Sequence, residues 1–84
     1  MTPYLEISFR RGKPFAAYLH CSAPRPAASS RQIGVGMIAD LDTEGSILGL
    51  EITDPQHTPA SAITAALVPL GIDVSRLDLA PLAA

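Results

Sequence analysis

The stretch IGVGMIADLDTEGSILGLEIT, residues 33–53, decides the fold that this sequence predicts. Two runs in which every second residue is apolar flank the turn sequence of residues 42–45, DTEG, and this arrangement is typical of a β-hairpin. Because side chains alternate between the two faces of a strand, each run presents one apolar face. The residues on that face are Ile33, Val35, Met37, Ala39 and Leu41 in the first run and Leu48, Leu50 and Ile52 in the second.

The length of the turn sets the register of this hairpin. A three-residue loop would set Met37 opposite Glu51 and would divide the apolar residues between the two faces. A four-residue loop, residues 42–45 with Gly45 at positive φ, sets Met37 opposite Leu50 and keeps the apolar residues together. We therefore predict the four-residue loop.

A second hairpin is expected before this one. Residues 4–9, YLEISF, and residues 15–21, FAAYLHC, both alternate, and the RGKP sequence of residues 11–14 is typical of a turn. Residues 22–30 contain two prolines and three serines without an apolar period, so they predict an irregular loop. The inward residues of this hairpin would be Leu5, Ile7 and Phe9 in its first strand and Phe15, Ala17, Leu19 and Cys21 in its second.

One amphipathic helix should follow the second hairpin. Thr58 and Pro59 favour a helix start, with the hydroxyl as the N-cap and the proline in the first turn. Pro69 disfavours the α conformation at Val68, and Gly71 suits the turn beyond it, so we expect the regular helix to end near Leu67 or Val68. The residues that recur at helical spacing are Ile63, Ala66, Leu67 and Leu70.

These elements predict an α+β fold of one domain, residues 1–71. Four antiparallel strands, arranged as two hairpins in a meander, would carry the C-terminal helix on one face. Residues 72–84 form an apolar tail that either docks on the domain or binds a partner. The sheet face under the helix would carry Leu5, Ile7, Phe15, Leu19, Val35, Met37, Leu50 and Ile52.

Composition narrows the classes of partner. Six basic and eight acidic residues give a net charge of −2, so the chain has no general attraction to nucleic acid or to an anionic membrane. One cysteine excludes an intrachain disulfide, and no stretch has the pattern of a signal peptide or of a membrane span. We therefore expect a cytoplasmic protein that binds neither nucleic acid nor membrane.

The acidic residues of the 33–53 hairpin have the spacing of a calcium-binding loop. Asp40, Asp42, Glu44 and Glu51 match liganding positions of an EF-hand loop. An EF-hand requires a helix on each side, whereas both flanks here are strand sequence. A small-ligand or divalent-ion site built from these four residues is therefore the alternative hypothesis.

No motif indicates an enzyme or a cofactor. His20 and Cys21 are neighbours on a strand and point to opposite faces, so they cannot act as a base and nucleophile pair. We expect Cys21 to pack as a small apolar residue. The serines lack a nucleophile-elbow sequence, no phosphate-binding glycine motif occurs, and one cysteine with two distant histidines forms no recognised metal-binding pattern.

The outward face of the sheet is a candidate contact surface. Gly34, Gly36 and Gly49 have no side chains and would leave a shallow area on this face, and we expect Glu6, His20 and Glu51 nearby. Either a partner approaches these glycines, or Tyr18 covers them within the sheet; the sequence leaves both open. The candidate partner-binding residues are Tyr18, Ile38 and Ile47 on this face and Leu77, Leu79 and Leu82 in the tail.

The block IADLDTEGSILGLEI, residues 38–52, and the two strands before it resemble the small prokaryotic YuzE-like family of unknown function. The chain departs from that pattern where Phe9 and Arg10 replace a tyrosine and an aspartate and Pro14 replaces a second acidic residue. The resemblance implies a compact sheet backed by a C-terminal helix, without an established enzymatic activity. It also implies an antitoxin-like role, because members are often encoded beside small putative toxins.

These observations predict a noncatalytic protein-binding module without a cofactor. A protein partner or a second copy of the chain would bind the outward sheet face or the tail. An acidic chain with an apolar tail would suit the capture of a small basic protein.

Overall fold

The computed structural model describes residues 3–75 and 77–83 and shows an α+β fold. Five strands form one antiparallel sheet in the order β1-β2-β5-β4-β3, and one helix follows them. The helix of the described chain is too short to span a membrane. The elements are β1 Tyr4–Arg10, β2 Lys13–His20, β3 Ser29–Gly34, β4 Met37–Leu41, β5 Ile47–Ile52 and α1 Ala60–Leu67, which continues as a 3-10 turn Val68–Leu70.

The prediction of four strands in a meander was wrong, because the run from residue 33 to residue 41 is two strands. The chain reverses at Val35 and Gly36, where Gly36 has a φ of +68°, a conformation that glycine adopts without strain. Ser29 and Ser30, predicted as loop, form the first part of β3. β3 and β4 form a hairpin at one side of the sheet. β5 therefore lies at the centre, between β4 and β2, and pairs with both.

Val35 lies at the tip of this turn and is 90% exposed, so it is not a core residue as predicted. We expect Val35→Lys to change the free energy of unfolding by less than ~0.5 kcal/mol, as exposed substitutions away from special features do. Urea denaturation measures this. Met37→Lys, two residues along in the buried part of β4, is the matched control and should be strongly destabilising. A large loss for Val35→Lys would contradict the turn.

The β4–β5 turn has the three-residue loop and not the four-residue loop. The amide of Asp42 donates to the carbonyl of Ser46 at 2.9 Å, which closes residues 43–45 as the loop. A β-bulge beside Asp40 then shifts the register by one residue. Met37 therefore faces Ile52 and the apolar residues stay on one side, which a regular ladder after a three-residue loop could not give.

The same bulge exchanges the faces of Ile47 and Leu48. Leu48 is the unpaired residue of the bulge, and its side chain lines a depression beside Tyr18 on the outward face. Ile47, which the alternation placed outward with Tyr18, packs against the core instead. A bulge inserts one residue into a strand, so every side chain before it changes face.

A second bulge, between β1 and β2, removes Phe15 from the predicted core. Phe9 pairs with Pro14 and Ser8 with Ala16, so Phe15 is the extra residue. Its ring is 49% exposed and lies under the guanidinium of Arg10, 4.2 Å from the ring centroid, while Pro14 is buried in its place.

The core lies between the inner sheet face and the C-terminal third of the chain. The helix begins at Ala60, with Pro59 at the N-cap position. The prediction that Thr58 caps the helix was wrong, because its hydroxyl donates to the Asp54 carbonyl at 2.7 Å. The regular helix ends at Leu67 and Gly71 is left-handed, as predicted. The buried core residues are Ala17, Leu19, Met37, Ala39, Leu50, Ile52, Ile63, Leu67, Leu79 and Leu82.

The described residues of the tail pack on the domain. Leu79 and Leu82 belong to the buried core, and Leu77, Ile72 and Val74 pack against it. Of the two roles that the sequence left open for this segment, the structure shows packing within the chain.

Candidate functional site

The outward face of the sheet, the side opposite α1, carries the main cluster of ionisable side chains. Strand pairing arranges them in two neighbouring rows that cross the sheet. The first row, in spatial order, is Glu6, Tyr18, Glu51, Ile38 and Gln32. The second row is Tyr4, His20, Gly49, Asp40 and Ser30.

Tyr18 joins the two rows. Its ring lies over Gly49, where a β-carbon would overlap it, and its hydroxyl donates to Asp40 Oδ2 at 3.0 Å. Ser30 donates to the other oxygen of Asp40 at 2.7 Å. Burial and the bond to Asp40 raise the pKa of Tyr18, so the phenol stays protonated and acts as the donor. Tyr18 thus covers Gly49 within the sheet, as one of the two alternatives predicted. The prediction was wrong for the other two glycines, because Gly34 lies against the Met37 side chain and Gly36 lies in the β3–β4 turn.

His20 contacts side chains of both β1 and β2 on the outward face. Its Nε2 lies 2.8 Å from Glu6 Oε1, and its ring stacks on Tyr4 with centroids 4.4 Å apart. Tyr18 meets the same imidazole edge-on at 4.8 Å. Three rings and a carboxylate therefore form one fixed array across β1 and β2.

Two carboxylates of the face lie close together. Hydrogen bonding with Asp40 and loss of water contact both raise the pKa of Glu51 above its ordinary value, with a further contribution from the Asp40 charge. Among the described residues, no lysine or arginine forms an ion pair with either group. Arg10, two residues beyond Ser8 in β1, is held over the Phe15 ring. Within the described residues, Asp40 and Glu51 therefore have no lysine or arginine partner, whereas Glu6 pairs with His20.

A shallow depression of about 420 Å³ opens beside Tyr18. Glu6 and Glu51, which flank Tyr18 in the first row, both line it. A positively charged group in this depression would contact the carboxylates of Glu6 and Glu51 and the aromatic ring of Tyr18. The side chains that line the depression include Glu6, Ser8, Ala16, Tyr18, His20, Glu51 and Thr53.

The four residues of the calcium hypothesis do not converge. The Asp42 carboxylate accepts bonds from the amides of Glu44 and Ser46, both at 2.9 Å, and pairs with Arg25 at 2.9 Å. These bonds lower its pKa and hold it at the turn, away from Asp40 and Glu51. Within residues 3–75 and 77–83, no three side chains of His, Cys, Asp or Glu form a metal-binding group.

The candidate partner-binding residues fall in different places. Tyr18 and Ile38 share the first row of the outward face, and Ile38 is partly buried there. Ile47, Leu77, Leu79 and Leu82 belong to the core or pack against it. The sequence did not indicate Tyr4, Asp40 and Ser30 as neighbours, because their row depends on the β2–β5 and β3–β4 pairings.

Cys21 follows β2 and packs partly against the core, with its thiol directed to the Leu19 carbonyl at 3.7 Å. Burial raises the pKa of this thiol from 9.0 to about 11. The thiolate is the reactive form, so at pH 8 we expect the folded protein to react with a disulfide reagent ~100-fold more slowly than an exposed cysteine. The rate in urea is the internal control. Equal rates in the folded and unfolded states would contradict this burial.

Comparison of the chain with protein-family models, with curated proteins and with solved structures gives no match. The function must therefore be argued from the geometry of the site itself.

Proposed function

We propose that this protein is a noncatalytic binding module whose outward sheet face captures a basic segment of a partner protein. The observation that carries the proposal is the depression between Glu6 and Glu51 beside Tyr18. An arginine or lysine side chain in it would form charge-assisted bonds to a carboxylate and contact aromatic rings. The resemblance to the YuzE-like family supports an antitoxin-like form of this role, in which the partner is a small basic protein.

The carboxylate pair supports a cationic partner. Glu51 ionises less readily than an ordinary glutamate because Asp40 is beside it, so the charged pair disfavours the folded state at neutral pH. A cation between the carboxylates would relieve this repulsion. Groups held at such a cost to folding are typical of functional sites.

The repulsion between Glu51 and Asp40 gives a prediction for the midpoint of thermal unfolding. Glu51→Gln should raise the midpoint of thermal unfolding at pH 7, because the amide removes the repulsion with Asp40. The folded-state pKa of Glu51 is raised, so its destabilising effect is present above that pKa and is lost as the pH falls. The gain should therefore disappear near pH ~3, where the carboxyl is protonated in both states. A gain that grows at low pH would contradict the assignment.

The binding site can be located by NMR titration. An oligo-arginine peptide added to the ¹⁵N-labelled chain at low salt should shift the amide signals of Glu6, Tyr18 and Glu51. An oligo-glutamate peptide should shift none of these. High salt should weaken the interaction, because exposed charges are screened beyond a Debye length of about 10 Å at 0.1 M. Shifts confined to the β4–β5 turn at Asp42 and Glu44 would contradict the proposal.

A further inference from the structure

Strand β1 forms one edge of the sheet and pairs only with β2. None of the backbone hydrogen bonds that the described residues make outside the sheet ladder and the helices involves β1. Its seven residues contain no proline or lysine, and the bulge it shares with β2 lies on the β2 side. Proteins commonly block such an edge with these devices, so β1 is open to pairing with another strand.

An apolar groove of about 490 Å³ runs beside this edge on the core face of the sheet. The β1 residues Leu5, Ile7 and Phe9 form one wall, and Leu77 and Pro81 from the tail belong to the other. Phe9 is 55% exposed, although its face is otherwise turned to the core. The groove thus offers apolar surface that the chain itself leaves in contact with water.

We propose that two copies of this chain pair through β1 in antiparallel orientation, with Ile7 opposite Ile7 on the two-fold axis. This is the one register that pairs all seven residues of β1. It also sets like faces together, because residues directly opposite each other in an antiparallel pair lie on the same face. Two sheets of five strands would become one continuous sheet.

The sequence of β1 is complementary to itself in this register. On the core face, Leu5 lies opposite Phe9 of the second copy, so each Phe9 enters the groove of the other chain. On the outward face, Tyr4 lies opposite Arg10, a cation and aromatic pair. Arg10 is also the diagonal neighbour of Glu6 in the second copy, which gives two opposite-charge contacts per dimer.

The other edge strand, β3, is the poorer candidate. Its sequence SSRQIG is polar over its first four residues, which are all exposed, and no residue of β3 lines any of the depressions described above. The dimer would leave Tyr18 and Glu51 uncovered on both outward faces, while Arg10 of the second copy would contact Glu6 at their margin. It depends on the β1 edge and not on the basic partner proposed above.

Light scattering and disulfide trapping test the dimer. The wild-type chain at micromolar concentration should have the mass of two copies. In a Cys21→Ala background, Ile7→Cys should form an intermolecular disulfide under mild oxidation, because the two residues face each other on the axis. Leu5→Cys, which lies on the same face but opposite Phe9, is the matched control and should not link to itself.

Phe9→Lys tests the interface without disturbing the core, because Phe9 is half exposed in the single chain. It should keep the circular dichroism of the wild type and weaken dimerisation at least ~10-fold, the loss expected for a central aromatic contact. A monomeric wild type, a dimer that Phe9→Lys leaves intact, or equal cross-linking of Leu5→Cys and Ile7→Cys would overturn the proposal.

Discussion

Gly49→Ala should lower the free energy of unfolding by ~2–3 kcal/mol, a large fraction of the stability of so small a domain. The added β-carbon would overlap the Tyr18 ring. The ring must then leave Gly49, and its hydroxyl loses the bond to Asp40. For a domain of this length, each kcal/mol corresponds to roughly 4–8 °C in the midpoint of thermal unfolding, so calorimetry detects the change readily.

The partner of Gly49 provides the control. In a Tyr18→Ala background the overlap is absent, so adding Gly49→Ala should cost less than ~0.5 kcal/mol, and the double-mutant cycle should show coupling of about 2 kcal/mol. Equal costs of Gly49→Ala with and without the tyrosine would contradict the contact.

Leu79→Ala and Leu82→Ala should each lower the free energy of unfolding by ~2–4 kcal/mol, and together they should leave the chain largely unfolded. Both side chains are buried, at 9% and 7% exposure, in the core that α1 and the sheet share. Removing them opens cavities that the surrounding side chains fill only in part. Urea denaturation of the single variants and circular dichroism of the double variant measure these effects.

The exposed residue Val68, the first of the 3-10 turn after α1, is the matched control. It is also apolar and lies near the tail in sequence, but it is 58% exposed. Val68→Ala should therefore stay within ~0.5 kcal/mol of the wild type. If Leu79→Ala were as mild as Val68→Ala, the tail would not belong to the core and its partner-binding role would return.

The sequence was sufficient for the elements whose signals are local. Alternation identified β1, β2 and β5 and the extended conformation of residues 37–41, and the Pro69 and Gly71 signals placed the end of the helix. The first turn was placed correctly at Arg11 and Gly12, which both have positive φ, although Lys13 and Pro14, predicted as part of it, begin β2. Each of these features depends on the conformational preference of a few neighbouring residues.

The errors arose where a face or a register depended on pairing. The bulges at Phe15 and Leu48 change the face of a side chain without changing the sequence pattern, so alternation misplaced Phe15 and Ile47. The turn at Val35 was missed because two glycines within an apolar period also suit a strand. Each bulge involves one residue, yet it changes the face of a large side chain, and the missed turn divides one predicted strand into two.

The candidate site was only partly predictable for the same reason. Tyr18, His20 and Glu51 could be placed on the outward face from alternation alone. Their proximity to Tyr4, Asp40 and Ser30 required the order of the strands, because the six residues lie on all five strands. Pairings between strands distant in sequence depend on the whole core, and no local signal encodes them.

Variants that remove carboxylates at the depression or away from it test the binding proposal most directly. The dissociation constant of an oligo-arginine peptide would be measured by calorimetry for the wild type, for Glu6→Gln/Glu51→Gln, and for Glu44→Gln. Glu44 lies on the exposed β4–β5 turn, away from the depression, so its variant controls for net charge. We predict at least ~10-fold weaker binding for the double variant and little change for Glu44→Gln. Equal weakening per charge removed in both variants would show attraction to net charge alone and would contradict a site on this face.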